Sequence, residues 1–363
     1  MYNFKNYFKN KKVLITGHTG FKGSWLSLWL HLLGAKVIGV SKDIPTKPSL
    51  FAELNLKKKI IHKRIDIRNF SKFYEVFTKY KPDHVFHLAA QSLVKKSYEN
   101  PVNTFTSNSI GTLNLLECLR KINHKCISVL ITSDKSYRNL EIDRGYHEED
   151  LLGGIDPYSS SKASAELIIK TYFECFLKNK INQKLAIARA GNVVGGGDWS
   201  ENRLLPDCVK SWSKNKKVLI RNPNSTRPWQ HVLEALYGYL ILSVKLSQKK
   251  NINGEPFNFG PNHSENKSVI SLLKEAKKSW KNVGWKVNKN KHQFYESKLL
   301  KLNSNKAKKE LGWKPILKFE ESVKLITDWY KNFFKYKRSN TFEFSQFQIN
   351  EYSNKLEKLI IKK

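Results

Sequence analysis

A tyrosine and a lysine four residues apart, Tyr158 and Lys162, have the spacing needed for proton transfer from one helical face. The residues before them, Asp156 and Pro157, suit a helix N-cap and a first helical position. A nearby cation stabilises a tyrosinate, so we expect Lys162 to lower the pKa of Tyr158. Such a phenolate can remove the proton of a hydroxyl group, which makes both residues candidate catalytic residues.

A second group of reactive side chains, Ser133, Asp134 and Lys135, follows the apolar run 128–132. In a parallel sheet, the carboxyl end of such a strand lies where ligands bind. A hydroxyl, an acid and an amine side by side add an acid–base pair to the tyrosine and lysine. We therefore predict that these three residues are also catalytic.

Three glycines, at 17, 20 and 23, lie in the segment GHTGFKG between a predicted strand and a predicted helix. Such a loop lets the backbone approach a pyrophosphate at a helix N-terminus, where free N–H groups favour anions. Its place at the first strand–helix turn indicates a dinucleotide cofactor. The predicted cofactor contacts are Gly17, His18, Thr19, Gly20, Phe21, Lys22, Gly23, Ser41, Asp66, Ile67, Leu88, Ala89, Ala90, Tyr158 and Lys162.

An acidic residue is expected at the end of the second strand, where it would bind the ribose of NAD. Ser41 occupies that place and Asp43 lies two residues beyond it. This position therefore gives little preference between NAD and NADP.

The elements that would position these residues alternate along the first half of the chain. Apolar runs predict strands at 12–16, 36–40, 63–67, 84–88, 128–132 and 185–188. Amphipathic stretches predict helices at 21–33, 71–81, 102–121 and 158–177. Continuous apolar strands that alternate with helices predict an α/β fold, with a Rossmann-type doubly wound parallel sheet.

The alternation breaks after Gly195, which indicates a second and smaller unit. We predict a dinucleotide-binding domain over 1–195 and an α+β substrate-binding lobe over 196–363, with some later segments returning to the first domain. The later apolar runs predict strands at 218–221 and 257–259, and helices at 232–246, 269–280, 320–334 and 348–362.

The charge of the chain raises the question of a nucleic-acid partner. The 363 residues carry 65 Lys+Arg against 31 Asp+Glu, a formal net charge of +34. Only 10 of the basic residues are Arg, and the lysines are spread over every loop. Nucleic-acid binders concentrate charge on one face and favour Arg forks. We therefore expect a lysine-rich solvated surface and no nucleic-acid partner.

The cysteine pattern and the lengths of the apolar runs bear on metal binding, on redox state and on membrane insertion. The four cysteines form no CxxC pair and no zinc-type spacing with histidine, so we predict no metal site and reduced thiols. The N-terminal segment has no apolar core of a signal peptide, and the longest apolar runs are too short to span a bilayer. These features predict a cytoplasmic protein with no membrane partner.

Several segments resemble the extended short-chain dehydrogenase/reductase superfamily and, within it, the CDP-glucose 4,6-dehydratase family. They are Gly17–Trp25 (GHTGFKGSW), Pro45–Phe51 (PTKPSLF), Thr132–Tyr137 (TSDKSY), Gly153–Lys162 (GGIDPYSSSK), Arg189–Trp199 (RAGNVVGGGDW), Arg203–Cys208 (RLLPDC) and Arg221–Leu233 (RNPNSTRPWQHVL). The Asp134–Lys135 pair is discriminating, because dTDP-glucose dehydratases carry Asp-Glu there and 4-epimerases lack the acid. In one departure, Ile142 and Arg144 stand where the family has Trp.

The resemblance implies a lyase that converts CDP-D-glucose into CDP-4-dehydro-6-deoxy-D-glucose and water with tightly held NAD. Tyr158, with Lys162 and Ser133, would take the 4-hydroxyl proton as hydride leaves C4. Lys135 would remove the C5 proton, and protonated Asp134 would release the 6-hydroxyl as water. The product of such enzymes typically enters surface-polysaccharide (O-antigen) synthesis.

The resemblance also implies how the substrate and a second subunit bind. The implied contacts of the CDP-sugar substrate are Asn192, Arg203, Arg221, Arg227 and His231. The helices at 102–121 and 158–177 would form the interface of a homodimer or homotetramer. Two alternatives stay open at this point. One is another sugar-nucleotide enzyme of the fold, a dTDP-glucose 4,6-dehydratase or a UDP-sugar 4-epimerase, and the other is a non-catalytic nucleotide- or RNA-binding relative.

Overall fold

The computed structural model describes residues 4–220, 222–248, 251–262, 265–281, 283–287, 300–336 and 340–361. Its strands are β1 Lys12–Thr16, β2 Lys36–Ser41, β3 Ile61–Arg64, β4 His84–His87, β5 Cys126–Ile131, β6 Gln183–Ala190, β7 Val193–Val194, β8 Val218–Ile220, β9 Thr226–Pro228, β10 Gln230–His231, β11 Pro256–Phe259, β12 Asn266–Ser268 and β13 Trp285–Val287.

The α-helices are α1 Phe4–Phe8, α2 Phe21–Leu32, α3 Leu50–Glu53, α4 Phe70–Tyr80, α5 Val94–Glu99, α6 Pro101–Phe105, α7 Gly111–Lys121, α8 Pro157–Tyr172, α9 Leu204–Trp212, α10 Val232–Gln248, α11 Val269–Ser279, α12 Phe319–Lys335 and α13 Thr341–Ile361. Short 3₁₀ turns cover Leu56–Lys58 and Asp134–Ser136. Single π turns cover Thr106–Ile110, Phe173–Leu177 and Ala307–Leu311.

Seven strands form one sheet in the order β11-β6-β5-β4-β1-β2-β3, and every pairing in it is parallel. The predicted doubly wound parallel sheet is therefore confirmed. Alternate residues of β1 face opposite sides of the sheet. Val13 and Ile15 belong to a core that includes residues of α2, α10, α12 and α13, and Leu14 belongs to a second core with residues of α4, α7 and α8. The chain leaves β1 for β2 on one side and β4 flanks it on the other, so the crevice for a ligand opens at this switch point.

Three details of the predicted elements were wrong. Strand β3 covers Ile61–Arg64 rather than 63–67, because Ile61 pairs with Ile38 and the chain turns away after Ile65. The last helix begins at Thr341 rather than at 348, because Ser345 is buried and accepts a hydrogen bond from the Trp329 indole. The helices α1, α3, α5 and α9 were not predicted, since each is short.

The segments after residue 195 build a second layer of structure beside the crevice. Two small pairings lie there, β9 with β12 and β8 with β13, and β10 pairs with β7, which lies just before residue 195. Strand β11 returns to the large sheet and pairs with β6. The division of the chain at residue 195 stays a prediction. Within the described ranges, no helix is both long enough and apolar enough to cross a bilayer.

Candidate active site

A crevice of about 2040 Å³ opens at the carboxyl ends of the central strands and is closed on the other side by the segments after residue 195. It brings together the predicted cofactor, catalytic and substrate residues from both halves of the chain. Lys162, His18 and His231 are the described members of the predicted set that do not line it. The predicted substrate residue Arg221 lies outside the described residues.

The glycine loop is shaped by close backbone contacts. Gly17 has a φ of +73°, and a Cβ there would lie 2.7 Å from the Ala89 nitrogen. A Cβ on Gly23 would lie 2.1 Å from the Gly17 oxygen, so the fold itself requires both glycines. A Cβ on Gly20 would meet only the Gly17 oxygen, at 3.4 Å. Gly20 therefore leaves its space free at the N-terminus of α2, where a phosphate can approach.

The side chain of His18 does not face the crevice, in contrast to its predicted role. Its ring is buried over Gly39, where a Cβ would lie 2.3 Å from the ring. Its two nitrogens lie 3.0 Å from Ser41 Oγ and 2.7 Å from His62 Nδ1. Burial lowers the pKa of His18 to about 4, so the ring is neutral at physiological pH. The glycine inside strand KVIGV was the sequence signal for this packing.

The outer end of the crevice is formed by the residues after β3. The Asp66 carboxylate lies 2.6 Å from Arg68 Nη2, and this hydrogen bond lowers the pKa of Asp66. The neighbouring Ile67 packs over Gly111, where a Cβ would lie 2.4 Å from Ile67 Cδ1. Asp66 and Ile67 both line the crevice, as the predicted cofactor contact requires.

At the inner end, Ser133 connects two of the predicted catalytic groups. Its hydroxyl donates to Asp134 Oδ1 at 2.9 Å, and it is hydrogen-bonded to Tyr158. The expected lowering of the Tyr158 pKa was wrong. Burial raises the pKa of Tyr158 to about 12, and the Ser133 hydrogen bond only partly opposes this effect. Burial lowers the pKa of Lys162 to about 8, while the charge of Glu166 opposes that change.

Asp134 is buried beside the half-buried Lys135, in the 3₁₀ turn that follows β5. Burial raises the pKa of the Asp134 carboxyl, although the cation of Lys135 opposes the rise. This direction favours the protonated acid that a proton donor requires. The structure therefore gives this turn a weakened acid directly beside an amine.

Lys22 lines the crevice and extends from the glycine loop to α10, a contact that the sequence did not indicate. Its Nζ lies 3.4 Å from the hydroxyl of the buried Tyr239. Burial lowers the pKa of Lys22 to about 7, and the charges of Lys162 and Arg203 lower it further. Tyr239 comes from α10 and had no sequence signal, because it lies in an apolar helix far along the chain.

One wall of the crevice carries two arginines from the segments after residue 195. Arg203 Nη1 lies 3.1 Å from the buried Asp198, and Arg227 donates to the Thr226 carbonyl at 2.8 Å. Asn192 lines the same wall. His231 does not take part, because its ring is fully buried and Nδ1 accepts from the Leu233 N–H at 3.3 Å. Burial lowers the pKa of His231 to about 3, so it adds no charge to this wall.

The family model described as GDP-mannose 4,6 dehydratase matches residues 14–326. The chain belongs to this family. Within it, the CDP-glucose 4,6-dehydratase of Salmonella typhimurium is 43% identical over 333 residues, which cover 90% of this chain and 92% of the relative. The dTDP-glucose 4,6-dehydratase of Haemophilus influenzae is 24% identical, over 88% of this chain and 97% of the relative. The resemblance found in the motifs is thereby confirmed.

Two solved structures show the same fold at low identity. The epimerase Mth375 of Methanothermobacter thermautotrophicus has a TM-score of 0.80 and 23% identity, over 93% of this chain and 96% of its own. The dTDP-glucose 4,6-dehydratase of Bacillus anthracis, solved with NAD, has a TM-score of 0.72 and 23% identity, over 89% of this chain and 97% of its own. The architecture of this family member is thus that of sugar-nucleotide epimerases and dehydratases.

Proposed function

We propose that the protein is a NAD-dependent CDP-glucose 4,6-dehydratase, which converts CDP-D-glucose into CDP-4-dehydro-6-deoxy-D-glucose and water. The observation that carries this proposal is that Tyr158 lines the same end of the crevice as Asp134 and Lys135, with Lys162 one helical turn behind Tyr158 on α8. In this proposal Tyr158 with Lys162 serves an oxidation, and Asp134 with Lys135 serves an elimination. A plain dehydrogenase or epimerase needs only the first pair. The 43% identity to a CDP-glucose 4,6-dehydratase supports the same function.

The residues of the crevice fit NAD. The open face of Gly20 and the N-terminus of α2 would hold the pyrophosphate, Asp66 and Ile67 the adenine, and Ala89 the flat face of the nicotinamide half. When bound, NAD supplies a reversible hydride acceptor, so that C4 of the sugar is oxidised, C6 is reduced and the net reaction is redox-neutral.

The side chains of the protein move the protons. Tyr158 acts in its phenolate form, which its raised pKa makes the minor form at neutral pH, and takes the proton of the 4-hydroxyl group as C4 becomes a ketone. The ketone acidifies the C5 proton. Lys135 removes this proton in its neutral amine form while Asp134 protonates the departing 6-hydroxyl, so that water leaves. The ammonium group of Lys135 exchanges its protons with solvent, and one of its protons is delivered to C5 when C6 is reduced. The proton gained by Tyr158 balances the one lost by Asp134, and solvent exchanges them between turnovers.

The glycine loop gives a prediction with two separable readouts. We expect Gly23→Ala to lower the free energy of unfolding by about 1–3 kcal/mol, because its Cβ would overlap a backbone oxygen. Gly20→Ala should change it by less than about 1 kcal/mol, yet weaken NAD binding by roughly tenfold, because the new methyl group occupies the space of the phosphate. Thermal unfolding and calorimetric titration with NAD measure the two effects. Equal losses of stability in both variants would contradict this assignment.

Arg227 is expected to bind the diphosphate of the substrate. Because a hydrogen bond to a charged group contributes about 1.5–3 kcal/mol, Arg227→Ala should raise KM for CDP-glucose by about tenfold or more. The value of kcat should stay within about threefold, since the diphosphate does not react. Arg144→Ala is the matched control, because that exposed side chain pairs with Asp150 outside the crevice. A large fall in kcat with KM unchanged would contradict the assignment.

We also propose a homodimer, formed through the helices α6, α7 and α8. Large apolar side chains on these helices and the π turn between them are exposed in the single chain, namely Val102, Phe105, Ile110 and Leu167. Sedimentation of the wild-type chain and of a Val102→Glu variant tests this interface, and a monomeric wild type would contradict it. A cytoplasmic location stays a prediction.

The experiment that tests the function compares CDP-, dTDP- and UDP-glucose as substrates in the presence of NAD. The product, a 4-keto-6-deoxy sugar, is followed by its absorbance in alkali. We expect turnover of CDP-glucose to exceed that of the other two by at least about tenfold. Preference for dTDP-glucose, or formation of UDP-galactose, would assign the protein to one of the alternative enzymes. Salt-dependent RNA binding with no turnover would instead indicate a binding protein.

A further inference from the structure

A buried carboxylate on the helix of Tyr158 and Lys162 is hydrogen-bonded to the turn that carries Asp134 and Lys135. Glu166 lies on α8, four residues after Lys162, and is 1% exposed. Its Oε1 accepts from Thr132 Oγ1 at 2.6 Å and lies 2.8 Å from Ser136 Oγ. Thr132 and Ser136 are the residues on either side of the triplet 133–135. A single carboxylate on the helix of Tyr158 and Lys162 therefore holds both ends of the turn that carries Asp134 and Lys135.

The Glu166 carboxylate forms an ion pair with an arginine of β6. Arg189 Nη2 lies 2.5 Å from Glu166 Oε2, and Arg189 Nε contacts both carboxylate oxygens. The remaining nitrogen, Nη1, donates to the Tyr137 hydroxyl at 2.6 Å and to the Glu148 carbonyl at 2.9 Å. A buried ion pair adds little stability unless such hydrogen bonds satisfy it. Here each side-chain nitrogen of Arg189 and each carboxylate oxygen of Glu166 has a hydrogen-bond partner. Three of these partners, Thr132, Ser136 and Tyr137, lie next to the turn that carries Asp134 and Lys135.

The contacts of Ser136 fix the conformation of the turn. Its hydroxyl donates to the Ser133 carbonyl at 2.6 Å, as well as approaching Glu166. Ser136 is fully buried and does not line the crevice, so it cannot touch a substrate. The same holds for Glu166 and Arg189. These three side chains therefore act on the reaction only through the residues that they hold.

We propose that Glu166, paired with Arg189, is a positioning residue that keeps Asp134 and Lys135 in register with Tyr158 and Lys162. This inference rests on the proposed function, because it assigns the two pairs to successive steps. A displacement of about 1 Å in a reacting group can cost roughly 10²-fold in rate. Loosening the turn while α8 stays in place should therefore slow elimination more than oxidation.

Two variants test this role. Glu166→Gln removes the ion pair, and Ser136→Ala removes one anchor of the turn without leaving a buried charge, so it covers the case in which the first variant does not fold. Ser243→Ala is the matched control, because it also deletes a buried serine hydrogen bond, to His84, at a distance from the crevice. Amide hydrogen exchange of the segment 130–138 in the free protein reports the mobility of the turn.

The second readout separates the two steps during turnover of CDP-glucose. Absorbance of reduced nicotinamide reports oxidation at C4, and solvent deuterium in the sugar at C5 reports elimination. For Ser136→Ala we expect faster amide exchange in the turn, oxidation within about threefold of wild type, and elimination slowed by roughly tenfold, so that reduced nicotinamide accumulates. If Glu166→Gln folds, it should show the same three changes. Ser243→Ala should show wild-type amide exchange in the turn and wild-type rates of both steps.

Three outcomes would overturn the inference: unchanged amide exchange in the turn, equal slowing of both steps, or the same pattern in Ser243→Ala. If the wild-type protein itself neither reduces nicotinamide nor forms the keto sugar with CDP-glucose, the proposed function fails instead. The amide-exchange comparison would still show in that case whether Glu166 and Ser136 hold the turn.

Discussion

Replacing Tyr158 by phenylalanine should lower the turnover of CDP-glucose by about 10²–10⁴-fold, the usual contribution of a positioned acid–base group. The phenol is buried and hydrogen-bonded to Ser133, within the crevice, so the loss of one oxygen atom removes the proton acceptor and little packing. Initial rates of keto-sugar formation measure the effect. The fall should appear in kcat, with KM for CDP-glucose almost unchanged.

Tyr172→Phe is the control for this variant, because Tyr172 lies at the end of the same helix and its hydroxyl meets Glu117 instead of the crevice. It should keep wild-type turnover. Because the Ser133 hydrogen bond lowers the pKa of Tyr158 against the effect of burial, Ser133→Ala should raise that pKa further and shift the rising limb of the kcat profile to higher pH. Turnover of Tyr158→Phe within about tenfold of wild type would remove the tyrosine from the mechanism.

The second large effect is expected from the turn after β5. Asp134→Asn and Lys135→Ala should each lower keto-sugar formation by about 10²–10⁴-fold, because elimination loses its acid or its base. Oxidation at C4 should continue, since Tyr158 and Lys162 are untouched. Asp134 is buried, so the isosteric amide keeps the packing, and the Ser133 hydroxyl can still donate to the amide oxygen.

Asp143→Asn provides the control for charge, because this exposed carboxylate pairs with Lys301 outside the crevice. It should leave the rate unchanged. Absorbance of reduced nicotinamide and formation of keto sugar are measured in the same reaction. Full dehydration by both Asp134→Asn and Lys135→Ala would show that the turn has no catalytic role, and loss of the oxidation step in both would show that it acts elsewhere in the reaction.

The sequence was sufficient for the central elements because local patterns determine them. The run KVLIT and the glycine spacing after it define β1, its turn and α2 without any long-range information. The same is true of Asp156 and Pro157, which cap α8 as predicted and place Tyr158 and Lys162 one turn apart. The Asp134–Lys135 pair follows a buried strand, so its place at the crevice was also predictable.

Residues whose surroundings come from distant segments were not predictable. Lys22 belongs to the glycine loop but meets Tyr239 of α10, and only the fold brings these two together. His18 and His231 were predicted to line the site, but both rings pack into the interior. The Glu166–Arg189 pair joins residues from a helix and a strand, each of which is unremarkable in its own segment. Burial also reversed the expected direction of the Tyr158 pKa, which spacing alone could not show.

The central claim is that this crevice oxidises C4, eliminates water across C5 and C6, and reduces C6 within one bound sugar. The most direct test is turnover of CDP-glucose labelled with deuterium at C4, carried out in unlabelled water and followed by mass spectrometry and NMR of the product. The account predicts that the label appears in the C6 methyl group of the 4-keto-6-deoxy sugar. Return of the label to C4 of a sugar that keeps its 6-hydroxyl group, or its loss to added NAD, would contradict the account.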